Sequence, residues 1–127
     1  MDDIVVDTNI FAAIFIGDLA MKRQLDFMLL SQHVIVSSVV HIELIQGAKN
    51  KSEVQRIEKY LRRFTLAHLD ELISELALGL IRIYSKSHGL YLGDALVAAT
   101  CLARNCPVLT LNVKDFRFIP RLTLLQP

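Results

Sequence analysis

Four carboxylates stand where a fold could gather them. Asp7 follows the apolar run Ile4-Val5-Val6, Glu43 interrupts an otherwise apolar segment, Asp94 precedes an alanine-rich stretch, and Asp115 follows the apolar run 108–111. Two carboxylates ~5 Å apart at an effective dielectric near 20 repel by roughly 3 kcal/mol. Several such pairs would rival the whole stability of a domain, about 5–15 kcal/mol, so a cluster needs protons or cations to persist. An oxygen-only site without His or Cys suits the hard ions Mg²⁺ or Mn²⁺ better than zinc. Two such ions roughly 3.5–4 Å apart form the usual clamp for in-line displacement at phosphorus by a metal-activated water. Thr8, Asn9, Thr110 and Asn112 lie beside these acids in the chain. Their neutral donors and acceptors could orient the carboxylates or waters.

Each acid also has a plainer reading. Asp7 and Asp94 are good helix N-caps, Glu43 can be a solvated side chain with apolar neighbours, and Asn112 suits a turn. What favours convergence is where the elements place them. Ile4–Val6 shows no polar alternation, which predicts a strand covered on both faces, as in a parallel sheet between helices. Helical patterns follow over 10–16 and 19–32, then a second strand at 33–36. Ser37 and Ser38 are N-caps for a helix to about Ala48, with Glu43 projecting between Val39 and Val40. Ser52-Glu53-Val54-Gln55 has capping-box form and opens a helix to about Phe64. A third strand is expected over 65–69, a helix capped by Asp70 to about Ser87, a tightly packed helix over 95–103, a strand over 108–111 and an edge strand over 122–125. In a right-handed parallel α/β sheet, strand C-termini and the helix N-termini after them share one edge. All four acids have that address.

The remaining features narrow the class. The 127 residues make one domain, 1–127, without repeat or linker. A hydrophobic content of 53% excludes a disordered chain. It also exceeds what a small monomer needs, which points to a partner surface. Asp2 and Asp3 stand where a secretory leader would carry positive charge, and no apolar run reaches transmembrane length, so a cytoplasmic protein is expected. Cys101 and Cys106 lack zinc-site spacing and read as reduced thiols. His33, His41, His68 and His88 show no ligand spacing and read as structural or surface residues. A net charge of +1 says little, but the basic residues are grouped at Lys22-Arg23, Lys49/Lys51, Lys59/Arg62-Arg63 and Arg117/Arg121. They would hold phosphates only if the fold brings them beside the acids.

Taken in order, Val6-Asp7-Thr8-Asn9, Ile42-Glu43-Leu44 with Gly47-Ala48, Gly93-Asp94-Ala95-Leu96-Val97-Ala98-Ala99-Thr100, and Leu109-Thr110-Leu111-Asn112 with Lys114-Asp115-Phe116 resemble the PIN-domain family. Within it, they resemble the VapC-type toxins of prokaryotic toxin–antitoxin pairs. The resemblance spans essentially the whole chain and the four motifs together are specific. It implies a three-layer α/β/α sandwich around a parallel sheet of about five strands in order 3-2-1-4-5. It further implies Mg²⁺- or Mn²⁺-dependent endoribonuclease activity on RNA, a homodimer and a cognate antitoxin. Asp7, Glu43, Asp94 and Asp115 match the family's acidic quartet, with Asp7 and Asp94 as metal ligands and Glu43 and Asp115 able to act through water. Two other readings compete. An Asp-nucleophile phosphotransferase of haloacid-dehalogenase type would need an acid where Asn9 stands, and a non-catalytic RNA- or protein-binding module would keep the metal for structure. No G-x-G-x-x-G or P-loop supports nucleotide binding.

Overall fold

A computed structural model describes residues 2–127. The chain runs β1 (Asp2–Val6), α1 (Thr8–Phe15), α2 (Leu19–Met28), β2 (Gln32–Ser37), α3 (Ser38–Gln46), α4 (Lys51–Leu61), β3 (Thr65–Ala67), α5 (Glu71–His88), α6 (Leu92–Arg104), β4 (Val108–Leu109), a 3₁₀ turn (Val113–Asp115) and β5 (Leu124–Leu125). The five strands form one sheet in the order β3-β2-β1-β4-β5. All four pairings are parallel, with Ile4 opposite Val34 and Val6 opposite Leu109. This is the sheet that the family resemblance implied.

The sandwich follows from burial along the central strands. Successive strand residues point to opposite faces. Ile4, Val5 and Val6 are all fully buried, and so are Val34, Ile35 and Val36. Helices therefore cover both faces of the sheet, as the unbroken apolar runs require. Ala95, Val97, Ala98 and Ala99 bury α6 in the same core, and the small side chains let it approach closely. α5 lies along α6, while α1 packs on α2 and α3. Phe11 joins this interior to an aromatic group with Phe64 and Tyr60, at ring separations of 5.6 and 6.5 Å.

Most ends of the helices follow local side-chain chemistry. Asp70 accepts the Ile73 N–H at 2.9 Å and starts α5, which stops at Gly89 with φ +69°. That left-handed conformation suits a residue without a Cβ. Removing the cap in Asp70→Ala should cost about 1 kcal/mol. A thermal melt should show it as a Tm loss of a few degrees, and an unchanged Tm would count against the cap. Elsewhere the chain departs from its pattern. α4 begins at Lys51 and is capped by Asn50, whose side chain accepts the Glu53 N–H at 2.9 Å, so Ser52 is inside the helix. α2 ends at Met28, with residues 29–31 turning into β2, and the weaker strands are shorter than their apolar runs.

Candidate active site

The strand order reverses between β1 and β4, the position where open α/β sheets hold ligands beyond their strand ends. Asp7 and Thr110 come directly after those two strands. Asp7 is 5% exposed. Its Oδ1 accepts the Thr8 N–H at 2.8 Å, capping α1, and its Oδ2 accepts the Thr110 hydroxyl at 2.9 Å. The capping reading of Asp7 is thus correct for one oxygen, and the other is held for the cleft.

Asp7, Glu43, Asp94 and Asp115, with Thr8, Asn9, Tyr91 and Asn112, line one open cavity of about 250 Å³. Neither Lys nor Arg is among these lining residues, so the basic groups of the sequence do not neutralise the acids from within. A more enclosed cavity of about 280 Å³, lined by Cys101, Cys106 and Arg121, lies at the other end of α6 and holds no acids.

The neutral residues divide their work. Thr8 donates its hydroxyl to Glu43 Oε1 at 2.7 Å. Thr110, besides donating to Asp7, accepts the Asn112 N–H at 3.0 Å and the Asn9 amide at 3.3 Å. Asn9 Oδ1 accepts the Leu111 N–H at 3.2 Å, tying the loop after β4 to the start of α1. Asn112 lies before the 3₁₀ turn without a side-chain cap bond. An aspartyl-phosphotransfer role is not supported here: Asn9 stands where that class needs an acid, and it serves as a loop tie.

For Asp94 the plainer reading, a helix cap, does not hold. The N-cap of α6 is Tyr91, which makes no side-chain cap bond, and Asp94 lies in the first turn. A carboxylate there gains from the helix dipole but is not needed as a cap. Burial first, and then the charges of Asp7, Asp115 and Glu43, push its carboxyl up to about 7. Burial likewise raises Asp7, against the pull of its bonds from Thr110 and Thr8. The metal-free cluster therefore relieves its repulsion by holding protons.

Tyr91 is the participant that sequence pattern passed over. It donates to Glu43 Oε2 at 3.0 Å, and this bond, more than burial, pushes its own hydroxyl up to about 12. The sequence carried no signal for it, because the apolar pattern starts this helix at 95 and only the structure makes Tyr91 its N-cap.

The donor set is entirely oxygen, as a hard divalent cation requires. Among the described residues no three acidic, imidazole or thiol groups form a ready-made cage. An all-oxygen lining of this kind suits a hard divalent cation that keeps several waters and takes only one or two carboxylates directly. The histidines are used elsewhere: His33 joins Asp3 to Thr65, and His41 meets Glu58 at 3.0 Å.

Residues 4–121 match the PIN domain model, and the chain belongs to the PIN-domain family. A ribonuclease VapC of Rickettsia bellii is 28% identical over 126 residues, spanning 96% of this chain and 94% of that protein. Ribonuclease VapC10 of Mycobacterium tuberculosis is 30% identical over 120 residues, spanning 94% and 90%. Among solved structures, a toxin–antitoxin complex from Klebsiella pneumoniae superposes with a TM-score of 0.77 at 27% identity over 95% of this chain and 94% of that one. VapBC2 of Rickettsia felis, bound to a promoter DNA fragment, superposes at 0.81 over 98% of both chains; at 24% identity it supports the fold alone.

Proposed function

We propose that this protein is a Mg²⁺- or Mn²⁺-dependent endoribonuclease, the toxin of a toxin–antitoxin pair. The observation that carries the reading is the meeting of Asp7, Glu43, Asp94 and Asp115 in one cavity whose lining holds no basic side chain. The ribonuclease relatives give the reaction class. Asp7 and Asp94 are the principal ligands for a divalent ion, with Glu43 and Asp115 reaching it directly or through water. A hard ion bound there would activate water and stabilise the charge that develops on the phosphate during in-line displacement.

The chain's own part is positioning. Thr110 and the Thr8 N–H hold the Asp7 carboxylate at the end of β1, where neither oxygen can rotate away. The Asn9 tie keeps the β4 loop, and with it the 3₁₀ turn bearing Asp115, beside α1. The cavity is open, so an RNA strand can cross its mouth with a phosphate over the acids. Lys114 and Arg117, both exposed, flank Asp115 in sequence and are the basic residues we assign to the RNA phosphates.

Large apolar side chains remain exposed near α1 and α2, namely Ile16, Leu19, Phe27 and Leu30, and along α5 at Leu72, Leu78 and Ile83. Such surfaces fit a second copy of the chain and an antitoxin, the latter laying an apolar helix on the protein.

The reading is tested by incubating the purified protein with single-stranded RNA and mapping the cleaved ends. Cleavage should require added Mn²⁺ or Mg²⁺ and stop with chelator. RNA binding should weaken steeply as salt is raised, since phosphates supply most of the contact. Cleavage that persists in chelator, or binding that is flat in salt, would contradict the proposal.

A further inference from the structure

Two residues at the start of α6 break the local rules for a helix. Tyr91 occupies the N-cap without capping anything, and Gly93 follows within the first turn, where glycine weakens a helix. One feature accounts for both. The Tyr91 hydroxyl reaches across Gly93 to Glu43, 48 positions away in the chain, and donates to Oε2 at 3.0 Å. A Cβ on Gly93 would lie 2.8 Å from that same Glu43 oxygen and 2.9 Å from the Tyr91 hydroxyl. With any Cβ at this position the Glu43 carboxylate or the Tyr91 phenol would have to shift, and the bond between them with it.

Burial does not explain the tyrosine, which is 56% exposed. Its neighbour Leu90, 5% exposed, is the residue of this loop that enters the core. Glu43, meanwhile, projects from α3 with its two oxygens met by two different elements. Thr8 of α1 donates to Oε1, and Tyr91 donates to Oε2. A glutamate otherwise has three rotatable bonds with which to leave the cavity. Each oxygen keeps a lone pair free after accepting one bond, so the clamp is compatible with a ligand in the cavity.

We propose that Tyr91 is a positioning residue: with Thr8 it clamps the Glu43 carboxylate in the orientation that faces the acid-lined cavity, and Gly93 is present to let it do so. The inference rests on the reading of that cavity as a divalent-metal site. Residues that orient ligand carboxylates in this way commonly change metal affinity or activity by 10–100-fold when removed.

The test is calorimetric titration of Mn²⁺ into the metal-free protein, comparing wild type with Tyr91→Phe, Gly93→Ala and Asp7→Asn. Tyr91→Phe keeps the exposed ring and removes the hydroxyl alone. It should weaken Mn²⁺ binding by about tenfold or more. At saturating metal it should lower kcat on RNA while leaving KM within about twofold. Gly93→Ala should move Mn²⁺ affinity in the same direction, because it displaces the phenol from Glu43. Wild-type affinity in Tyr91→Phe, together with lost binding in Asp7→Asn, would overturn the role of Tyr91 and leave the metal site standing. Wild-type affinity in Asp7→Asn would overturn the metal-site reading and this inference with it. A raised KM for RNA with unchanged Mn²⁺ affinity in Tyr91→Phe would place the phenol on the substrate instead, and would also overturn the proposal.

Discussion

Replacing Asp7 by Asn should reduce RNA cleavage by at least ~10³-fold, about 4 kcal/mol of lost transition-state stabilisation, while making the metal-free protein more stable. The opposed signs come from one fact. Asp7 is almost wholly buried at the end of β1, and burial is the largest influence on its carboxyl. Asn has nearly the same shape and keeps an acceptor for the Thr8 N–H. It removes a charge that is costly to hold away from water beside three other carboxylates. The Thr110 hydroxyl must turn, since it now faces an amide donor where it used to donate to Oδ2. That rearrangement subtracts from the gain without reversing it. Thermal melts in chelator and an RNA cleavage assay in Mn²⁺ check the two halves separately. A variant as active as wild type would remove Asp7 from the chemistry. One that is inactive and also unstable would mean that the charge was needed for folding.

The second large effect is a reversal in how pH acts on the protein with and without metal. The Asp94 carboxyl is pushed up to about 7 from an ordinary value of 3.8. Between those values the folded chain holds a proton that the unfolded chain has released, so stability falls as pH rises through that window and levels off above it. Asp7, also raised, acts in the same sense. Asp94 is half-buried, and solvent screening reduces its contribution to roughly 1–2 kcal/mol. In chelator, the Tm should therefore decline from pH 4.5 to pH 7.5, and Asp94→Asn should flatten the decline. Metal reverses the trend because a cation must displace the protons. Mn²⁺ affinity should rise from pH 5.5 to pH 7.5, by up to about tenfold per pH unit for each proton displaced. Calorimetric titrations at three pH values that give the same affinity would refute the competition, whatever the RNA assay shows.

The residues that lie close together in the chain declared their roles early. Ile4-Val5-Val6 and Val34-Ile35-Val36 announce strands buried on both faces because side chains alternate every residue, so an unbroken apolar run admits no exposed face. Asp70 and Gly89 mark the two ends of α5 through bonds and backbone angles confined to a few neighbours. The plainer reading of Asp94 as a cap failed, because an acid before an apolar run looks like a cap from its neighbours alone, and Tyr91 took that position instead. The start of α4 shifted from Ser52 to Asn50 for a similar reason: two capping residues two positions apart compete, and only the packed backbone decides between them.

What the chain determined by itself was thus the set of acids, the strands and helices that carry them, and the motif order that marks the family. What the tertiary structure alone decided was contact across distance. Thr110 meets Asp7 over 103 positions, Thr8 meets Glu43 over 35 and Tyr91 meets Glu43 over 48. Periodicity and capping act within a turn or two of backbone, so they report which side chains share an element. Which carboxylate an unpaired hydroxyl reaches depends on how the elements pack, and a parallel sheet brings distant strand ends to one rim.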